Sequence, residues 1–278
     1  MKYLSFIRPD NQASIGRLEN DSIIELLEQG GSFTTLKKVL SSGSLSQLQE
    51  GAIYKPDEIT FLPPIPDPDK VICIGLNYGN HIAETGREPG ATYPVIFTRF
   101  TDTLVAHKQG IVRPVQSEKL DYEGELAVII GKTARHVSEA NAADHIAGYS
   151  CFNDASVRDW QRHSSHFTAG KNFPATGGFG PYLVTTEEVP VLGQQHVCTR
   201  LNDELLQDQP LSDLIFSVPA LIAYISAFTT LRPGDVIATG TPGGVGYARK
   251  PPLWMQAGDT VRVSIDQIGT LENPIIAE

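Results

Sequence analysis

The sequence predicts a mixed α/β fold in which strands dominate, and three observations carry that prediction. Short runs rich in β-branched and aliphatic residues recur along the chain, bounded by Gly, Pro, Asn and Asp. Segments with helical start and stop signals are few. The regular alternation of strand and helix that announces a doubly wound parallel sheet is missing.

Taken in order, MKYLSFIR (1–8) and DSIIELL (21–27) read as strands, and the residues around Phe33 to Leu40 as a helix. The stretch ITFLPPIPDPDK follows, with prolines at positions 63, 64, 66 and 68. Proline has no N–H to give a ladder, so this stretch cannot enter a sheet interior and reads as a linker. Residues 1–66 are therefore expected to form a small N-terminal domain and linker, and residues 67–278 a second, larger domain. Within the latter, VICIGLN (71–77), VIFTRF (95–100), ELAVIIG (125–131), DVIATG (235–240) and DTVRVSI (259–265) read as strands. Ser138 can cap a helix running to about Ala147. Ser217 can cap another to about Thr229, with Pro219 in its first turn.

Composition narrows the function. With 41 % hydrophobic and 19 % charged residues, the chain has enough apolar material for a sizeable core and none of the bias of a disordered segment. A formal charge of −10 argues against nucleic acid or an anionic membrane as a partner. The N-terminal apolar stretch is broken by Arg8, Pro9 and Asp10, so no signal peptide is expected, and VPALIAYISAF (218–228) falls short of the roughly 18 to 20 residues of a membrane span. Cys73, Cys151 and Cys198 are widely spaced with no CxxC, as expected of core thiols in a reducing cytoplasm.

Chemistry concentrates in a few stretches. In LDYEGELAVIIG (120–131), Glu123 and Glu125 stand two apart at the mouth of an apolar run. Side chains at i and i+2 share a strand face, so two carboxylates there repel unless a cation lies between them. Hard oxygen ligands suit Mg²⁺, Mn²⁺ or Ca²⁺ rather than zinc. A bare ExE also reads as a solvated strand face. Asp154, after HIAGYSCFN, is placed to end a strand at the same site and complete a set of three, or else to cap a following helix. In NYGNHIAETG, His81 and Glu84 meet on one face if the segment makes a helical turn. The carboxylate would then fix the imidazole tautomer and raise the basicity of its other nitrogen, giving a general base, although a surface ion pair has the same spacing. The residues after it, TGREPGATYP, have the glycine and proline content of a lid. In FTAGKNFPATGGFGP, Lys171 is the one cation, able to stabilise an oxyanion or simply exposed in a loop. TGTPGGVG (239–246) lacks a dinucleotide register, but its amides and the Thr241 hydroxyl can hold a carboxylate.

Taken together and in order, NYxxHxxE, YEGELAVIIG, GYSCFNDASVRDWQ, GKNFPATGGFGP and GDVIATGTPGGVG resemble the fumarylacetoacetate hydrolase family from about residue 70 to the C-terminus. The resemblance implies a catalytic domain with a rolled β-sheet around a metal site, a small domain before it, and assembly as a homodimer. It implies Mg²⁺ or Mn²⁺ on Glu123, Glu125 and Asp154, with a 2-oxo acid as the substrate. His81 and Glu84 match the pair that activates water, and Arg158, Gln161, Lys171 and Thr241 match positions around the substrate, with Tyr122 near it. The activity this suggests is hydrolysis of a C–C bond in an acylpyruvate, releasing pyruvate and a carboxylic acid; a decarboxylase, hydratase or lyase using the same metal and enolate is the alternative. One departure stands out: Arg99 in VIFTRF occupies a position where many relatives carry lysine. A guanidinium fork facing the site would suit a second acidic group on the substrate, as in fumarylpyruvate or maleylpyruvate.

Overall fold

The computed structural model describes residues 1–86 and 92–278. Its principal strands are β1 (Lys2–Ile7), β2 (Ala13–Glu19), β3 (Ser22–Leu27), β4 (Gln49–Tyr54), β5 (Val71–Gly75), β6 (Val95–Arg99), β7 (Gly124–Ile130), β8 (Ile146–Asn153) and β9 (Gly177–Thr185), followed by β10 (His196–Leu201), β11 (Glu204–Pro210), β12 (Val236–Ala238), β13 (Thr260–Ile265) and β14 (Gly269–Ala277). The helices are α1 (Leu36–Ser42), α2 (Gly79–Glu84), α3 (Arg158–Gln161), α4 (Thr168–Lys171) and α5 (Val218–Phe228). Strands dominate, as the sequence predicts.

The large sheet runs in the order β4-β3-β2-β1-β9-β8-β7-β12-β5-β6. Only the β12–β5 neighbours along this path are parallel. After β6 the chain turns through residues 101–103, and Leu104–Val105 pairs with Gly177–Gly178 of β9, on the far side of β8, β7, β12 and β5. That pairing rolls the sheet upon itself. A second sheet, ordered β11-β10-β13-β14 and closed by Ile111–Arg113, packs on its outside.

Strand parity explains how β7 can be buried along its whole length. Leu126, Val128 and Ile130 point outward into a core shared with Val197, Val263 and Ile265 of the second sheet and with Leu221, Ile222 and Ile225 of α5. Ala127 and Ile129 point the other way, into the roll, among Val71, Cys73, Phe97, Phe152 and Phe179. Glu123 and Glu125 share the parity of the second set and so look into the roll at its end.

The N-terminal strands are continuous with this architecture. Lys2 and Tyr3 of β1 pair with Val184 and Leu183 of β9, and Leu36 and Val39 of α1 pack into the core of the roll. Sheet and core thus run across the division placed at residue 66, while the proline stretch itself forms no strand and buries Ile65 completely. The β2–β3 hairpin turns on Asn20 and Asp21, both at positive φ, the backbone that a two-residue hairpin loop demands.

Two helix expectations fare differently. α5 begins where Ser217 Oγ accepts the Ala220 N–H and carries Pro219 in its first turn. Residues 139–145, by contrast, form a 3₁₀ stretch for which Ser138 provides no side-chain cap, and Ala147 already lies in β8. The β-rich run IAGYSCFN outcompetes helix extension because β8 lies between β7 and β9 in the sheet.

Candidate metal centre and active site

Register assembles the acidic cluster. Antiparallel pairing sets Gly124 of β7 opposite Asn153 of β8, so Glu123 and Asp154 are neighbours beyond the paired ends, and Asp154 N–H donates to Glu123 O at 2.8 Å. Ala127 pairs with Ala238 of β12, which carries the chain on to Gly240, whose N–H donates to Glu125 Oε2 at 2.8 Å. Gly240 sits at φ +102, and a Cβ there would come within 2.7 Å of Asn77 Cβ, so the donor requires glycine. Ligand oxygens of Glu123, Glu125 and Asp154 lie within 4.8 Å of one another, and all three residues are buried. Among the described residues this is the one such acidic cluster.

Among the described residues three cations serve this cluster, Lys171, Arg158 and, from behind Asp154, Arg99. Lys171 donates Nζ to Glu123 Oε2 and to Asp154 Oδ2, both at 2.6 Å, and to Asp154 O at 3.1 Å. Arg158 NH2 lies 2.6 Å from Glu123 Oε1. Burial alone would raise the Glu123 carboxyl, but Arg158, Lys171 and His81 outweigh it and bring it down to about 2. Glu125 has no ion pair among the described residues, and burial together with Asp154 and Glu123 pushes it well above the usual carboxylate range. Burial works against the charge on Lys171, yet Asp154 and Glu123 hold its ammonium above its ordinary value.

These donors fit a hard divalent cation. Three convergent carboxylates supply oxygen ligands alone, and Glu125 is a buried acid with no ion-pair partner among the described residues. No thiolate or imidazole joins the set, which argues against a structural zinc site.

Across the cavity stands the second constellation. β5 ends at Gly75, and Leu76 at φ +57 turns the chain; the Asn77 amide then donates to Thr239 O at 2.8 Å and Phe216 O at 3.1 Å. The turn is thereby pinned, and α2 follows. On α2, His81 Nδ1 lies 2.7 Å from Glu84 Oε1, so Nδ1 carries the proton shared with the carboxylate and Nε2 is left basic. Glu84 is itself fixed, because its other oxygen accepts the Gly244 N–H at 2.7 Å.

A cavity of about 450 Å³ joins the two constellations. His81, Glu123, Glu125, Arg158, Lys171 and Thr241 all line it. Gln161 also lines it and accepts Arg158 NH1 at 3.0 Å. Its position is set by packing of α3 on α4: a Cβ on Gly170 would come within 2.3 Å of Gln161 N. Thr241 Oγ1 donates to Gly124 O at 2.9 Å and accepts from Gln207 Nε2 at 2.8 Å. The lid expected in TGREPGATYP has its centre, residues 87–91, outside the described residues.

Two expected substrate contacts are placed elsewhere. Arg99 is fully buried behind Asp154: NH1 donates to Asp154 Oδ1 at 2.6 Å and Ala155 O at 3.1 Å, NH2 to Thr176 Oγ1 at 2.6 Å, and Nε to Thr103 Oγ1 at 3.2 Å. Its fork grips the Asp154 carboxylate from outside the cavity, because Arg99 comes in from the edge strand β6, where the rolled sheet closes. Tyr122 is likewise buried; its hydroxyl donates to Gly244 O at 2.9 Å and braces the glycine-rich loop. Its parity, opposite to that of Glu123, turns it away from the cavity.

Sequence reading missed Asp121. This buried carboxylate accepts from Arg158 Nε at 2.8 Å and from the Gly246 and Tyr247 N–H groups at 2.8 and 3.1 Å, joining Arg158 to the glycine-rich loop. A signal was available, since Asp121, Glu123 and Glu125 form one series at intervals of two.

Comparison with known proteins follows this geometry. The family profile described as fumarylacetoacetate (FAA) hydrolase C-terminal matches residues 70–276. An oxaloacetate tautomerase from Bos taurus, the mitochondrial FAHD2B, is 37 % identical over 258 residues, which cover 92 % of this chain and 80 % of that one. Oxaloacetate tautomerase YisK from Bacillus subtilis (strain 168) is 40 % identical over 260 residues, 91 % of this chain and 86 % of the relative. The solved structure of a fumarylacetoacetate hydrolase from Exiguobacterium antarcticum superposes with a TM-score of 0.86 at 36 % identity, covering all of both chains.

Proposed function

The chain belongs to the fumarylacetoacetate hydrolase family, and from that premise we propose that it is a divalent-metal-dependent tautomerase that interconverts the keto and enol forms of a small 2-oxo acid. The observation that carries this reading is that His81, bonded to Glu84, faces Glu123 and Glu125 across one cavity, with Asp154 clustered beside those two carboxylates. The two relatives named above as oxaloacetate tautomerases support it. Glu123, Glu125 and Asp154 would hold Mg²⁺ or Mn²⁺, with Ca²⁺ a further candidate. When bound, such an ion supplies a Lewis acid that offsets negative charge growing on the substrate's oxygens, a contribution of several kcal/mol.

The protein's own groups move the protons. In the keto-to-enol direction, His81 Nε2 takes a proton from the carbon next to the ketone, and the C–H electron pair becomes the C=C bond. The displaced carbonyl π pair moves to oxygen, which takes up the proton that the imidazolium gives back, so the reaction is an isomerisation with no other reactant and the base is restored. Glu84 stabilises the imidazolium that forms and keeps its ring oriented through a hydrogen bond it already makes. Arg158 and Gln161 line the same cavity as fixed donors, bonded to Asp121 and to each other, while Thr241 lines it with its hydroxyl proton committed to Gly124 O.

A second reading is hydrolysis of an acylpyruvate at a C–C bond, which the same dyad favours if its proton comes from water. The Exiguobacterium neighbour, a fumarylacetoacetate hydrolase, supports that reading. The two separate in one assay with Mg²⁺-loaded protein. Freshly dissolved oxaloacetate is followed by loss of enol absorbance, and acetylpyruvate by release of pyruvate. Accelerated loss of the oxaloacetate enol with no pyruvate from acetylpyruvate is the expected result. Stoichiometric pyruvate from acetylpyruvate, with enol decay at the buffer rate, would replace the first reading by the second.

A further inference from the structure

We propose that Arg162 reads a second carboxylate on the substrate, making it the residue that sets a preference for 2-oxo dicarboxylates. The inference rests on the reading of this cavity as a 2-oxo acid site and adds the group that recognises the distal end.

Among the described residues, three permanently or strongly cationic side chains line the cavity, and two of them are already engaged. Lys171 is held by Glu123 and Asp154. Arg158 is held by Asp121, Glu123 and Gln161. Arg162 lines the same cavity, is exposed, and forms no ion pair or guanidinium hydrogen bond among the described residues. Its guanidinium lies instead 5.2 Å from the centroid of the Tyr247 ring.

That ring is not a chance neighbour. Tyr247 N–H donates to Asp121 Oδ2, which also accepts Arg158 Nε, and the Arg158 guanidinium lies 4.5 Å from the same ring centroid. One aromatic ring thus carries both guanidinium groups, one turned to Glu123 of the metal site and the other unpaired at the cavity wall. Arg162 is the C-terminal cap of α3, the helix that carries Arg158 and Gln161, and its backbone N–H donates to Asp159 O at 3.2 Å. Stacking on tyrosine restricts the side chain without consuming its hydrogen-bond donors, so the planar fork remains available to a carboxylate. Ser164 and Ser165 line the cavity beside it. The protein carries a formal charge of −10 and the carboxylates of Glu123 and Glu125 line the cavity, so a dianionic substrate needs a local cation beyond the metal site. This is the role that the sequence had suggested for Arg99, moved to a residue three-dimensionally free to perform it.

Pyruvate and oxaloacetate differ by the one carboxylate at issue. Calorimetric Kd values for both, on Mn²⁺-loaded wild type, Arg162→Gln and Arg162→Lys, give the oxaloacetate-to-pyruvate affinity ratio. Because an exposed charge-assisted hydrogen bond lies at the low end of its range, the ratio is expected to fall about tenfold in R162Q. R162K, which keeps the charge and loses the fork, should fall between the two. Melting curves establish that each variant is folded, and R162K supplies the comparison if R162Q is not. An unchanged ratio in R162Q and R162K, or a wild type that binds the two acids equally, overturns the proposal. Failure of the loaded wild type to bind either acid overturns the 2-oxo acid reading and this inference with it. Intact discrimination in binding without keto–enol turnover would sink the tautomerase reading alone and leave the role of Arg162 supported.

Discussion

Gly240 gives its backbone N–H to Glu125 at 2.8 Å, and this is the hydrogen bond of a carboxylate that forms no ion pair among the described residues, although Lys171 pairs with both of its acidic neighbours. A buried acid in that position is unfavourable in its charged form until a cation arrives. Binding of Mn²⁺ or Mg²⁺ is therefore expected to stabilise the fold. At a hundredfold excess over Kd the gain is about 2.7 kcal/mol, or a rise in Tm of roughly 5 to 10 °C for a chain of this size. Glu125→Gln should lose most of that rise, while its metal-free form melts at or above metal-free wild type. Thermal melts of chelator-treated protein with and without metal check both, and superimposable wild-type curves would contradict the metal site.

Arg99 makes a different kind of prediction, because its guanidinium is closed off from the cavity and bonded to Asp154 at 2.6 Å. Arg99→Leu leaves a buried carboxylate without its partner, an effect on the order of 3 to 5 kcal/mol. Arg99→Lys keeps a charge but cannot reach Asp154, Ala155 and Thr176 together. Both variants should lower Tm and weaken metal binding. Neither should alter the ratio of oxaloacetate to pyruvate affinity, and a changed ratio would return Arg99 to the substrate site.

The contrast between Arg99 and Glu123 shows what was legible in the sequence and what was not. Glu123, Glu125 and Asp154 could be read because strand parity and a strand end are local properties, and because pairing of β7 with β8 only had to bring two adjacent segments together. His81 and Glu84 were legible for the same reason, one helical turn apart. Arg99 depends on how the sheet rolls, since its partners Asp154 and Thr176 are 55 and 77 residues away and belong to other elements. Lys171, an exposed loop lysine by default from its own stretch, is buried because α4 packs beneath the cavity, another nonlocal outcome. Continuity of β1 with β9 was hidden in the same way: nothing local in MKYLSFIR names its partner strand.

Removing the base should separate chemistry from metal binding. His81 bonds Glu84 but makes no ion pair with the acidic cluster, so His81→Asn is expected to lower kcat by roughly 10² to 10⁴ while the metal-induced rise in Tm persists. Glu84→Gln should reduce turnover less and raise KM as well, because Glu84 also anchors Gly244 of the loop that borders the cavity. Steady-state kinetics alongside thermal melts test this. Loss of the metal response in H81N would show that His81 belongs to the metal site instead of acting as the base.

The acid limb of stability is expected to report His107, which does not line the cavity. Its ring packs edge-on against Phe61 with centroids 4.8 Å apart, and Nδ1 accepts the Glu272 N–H at 3.1 Å, which requires an unprotonated nitrogen. Burial is the main cause that lowers its pKa to about 4; Lys108 adds to the shift and Glu272 opposes it. The unfolded chain binds a proton at about 6.5, whereas the folded chain resists it down to the lower value, so the unfolded state holds more protons between them. Stability contributed by the neutral ring is therefore complete above about pH 6.5 and is lost as pH falls toward 4. With a partly exposed ring the loss is on the order of 2 kcal/mol. His107→Gln keeps a side chain that can accept a hydrogen bond and removes the titration, so the difference in unfolding free energy between wild type and variant should shift by that amount between pH 7 and pH 4.5 in urea melts. A difference that stays constant across this range would show that His107 is protonated in the fold.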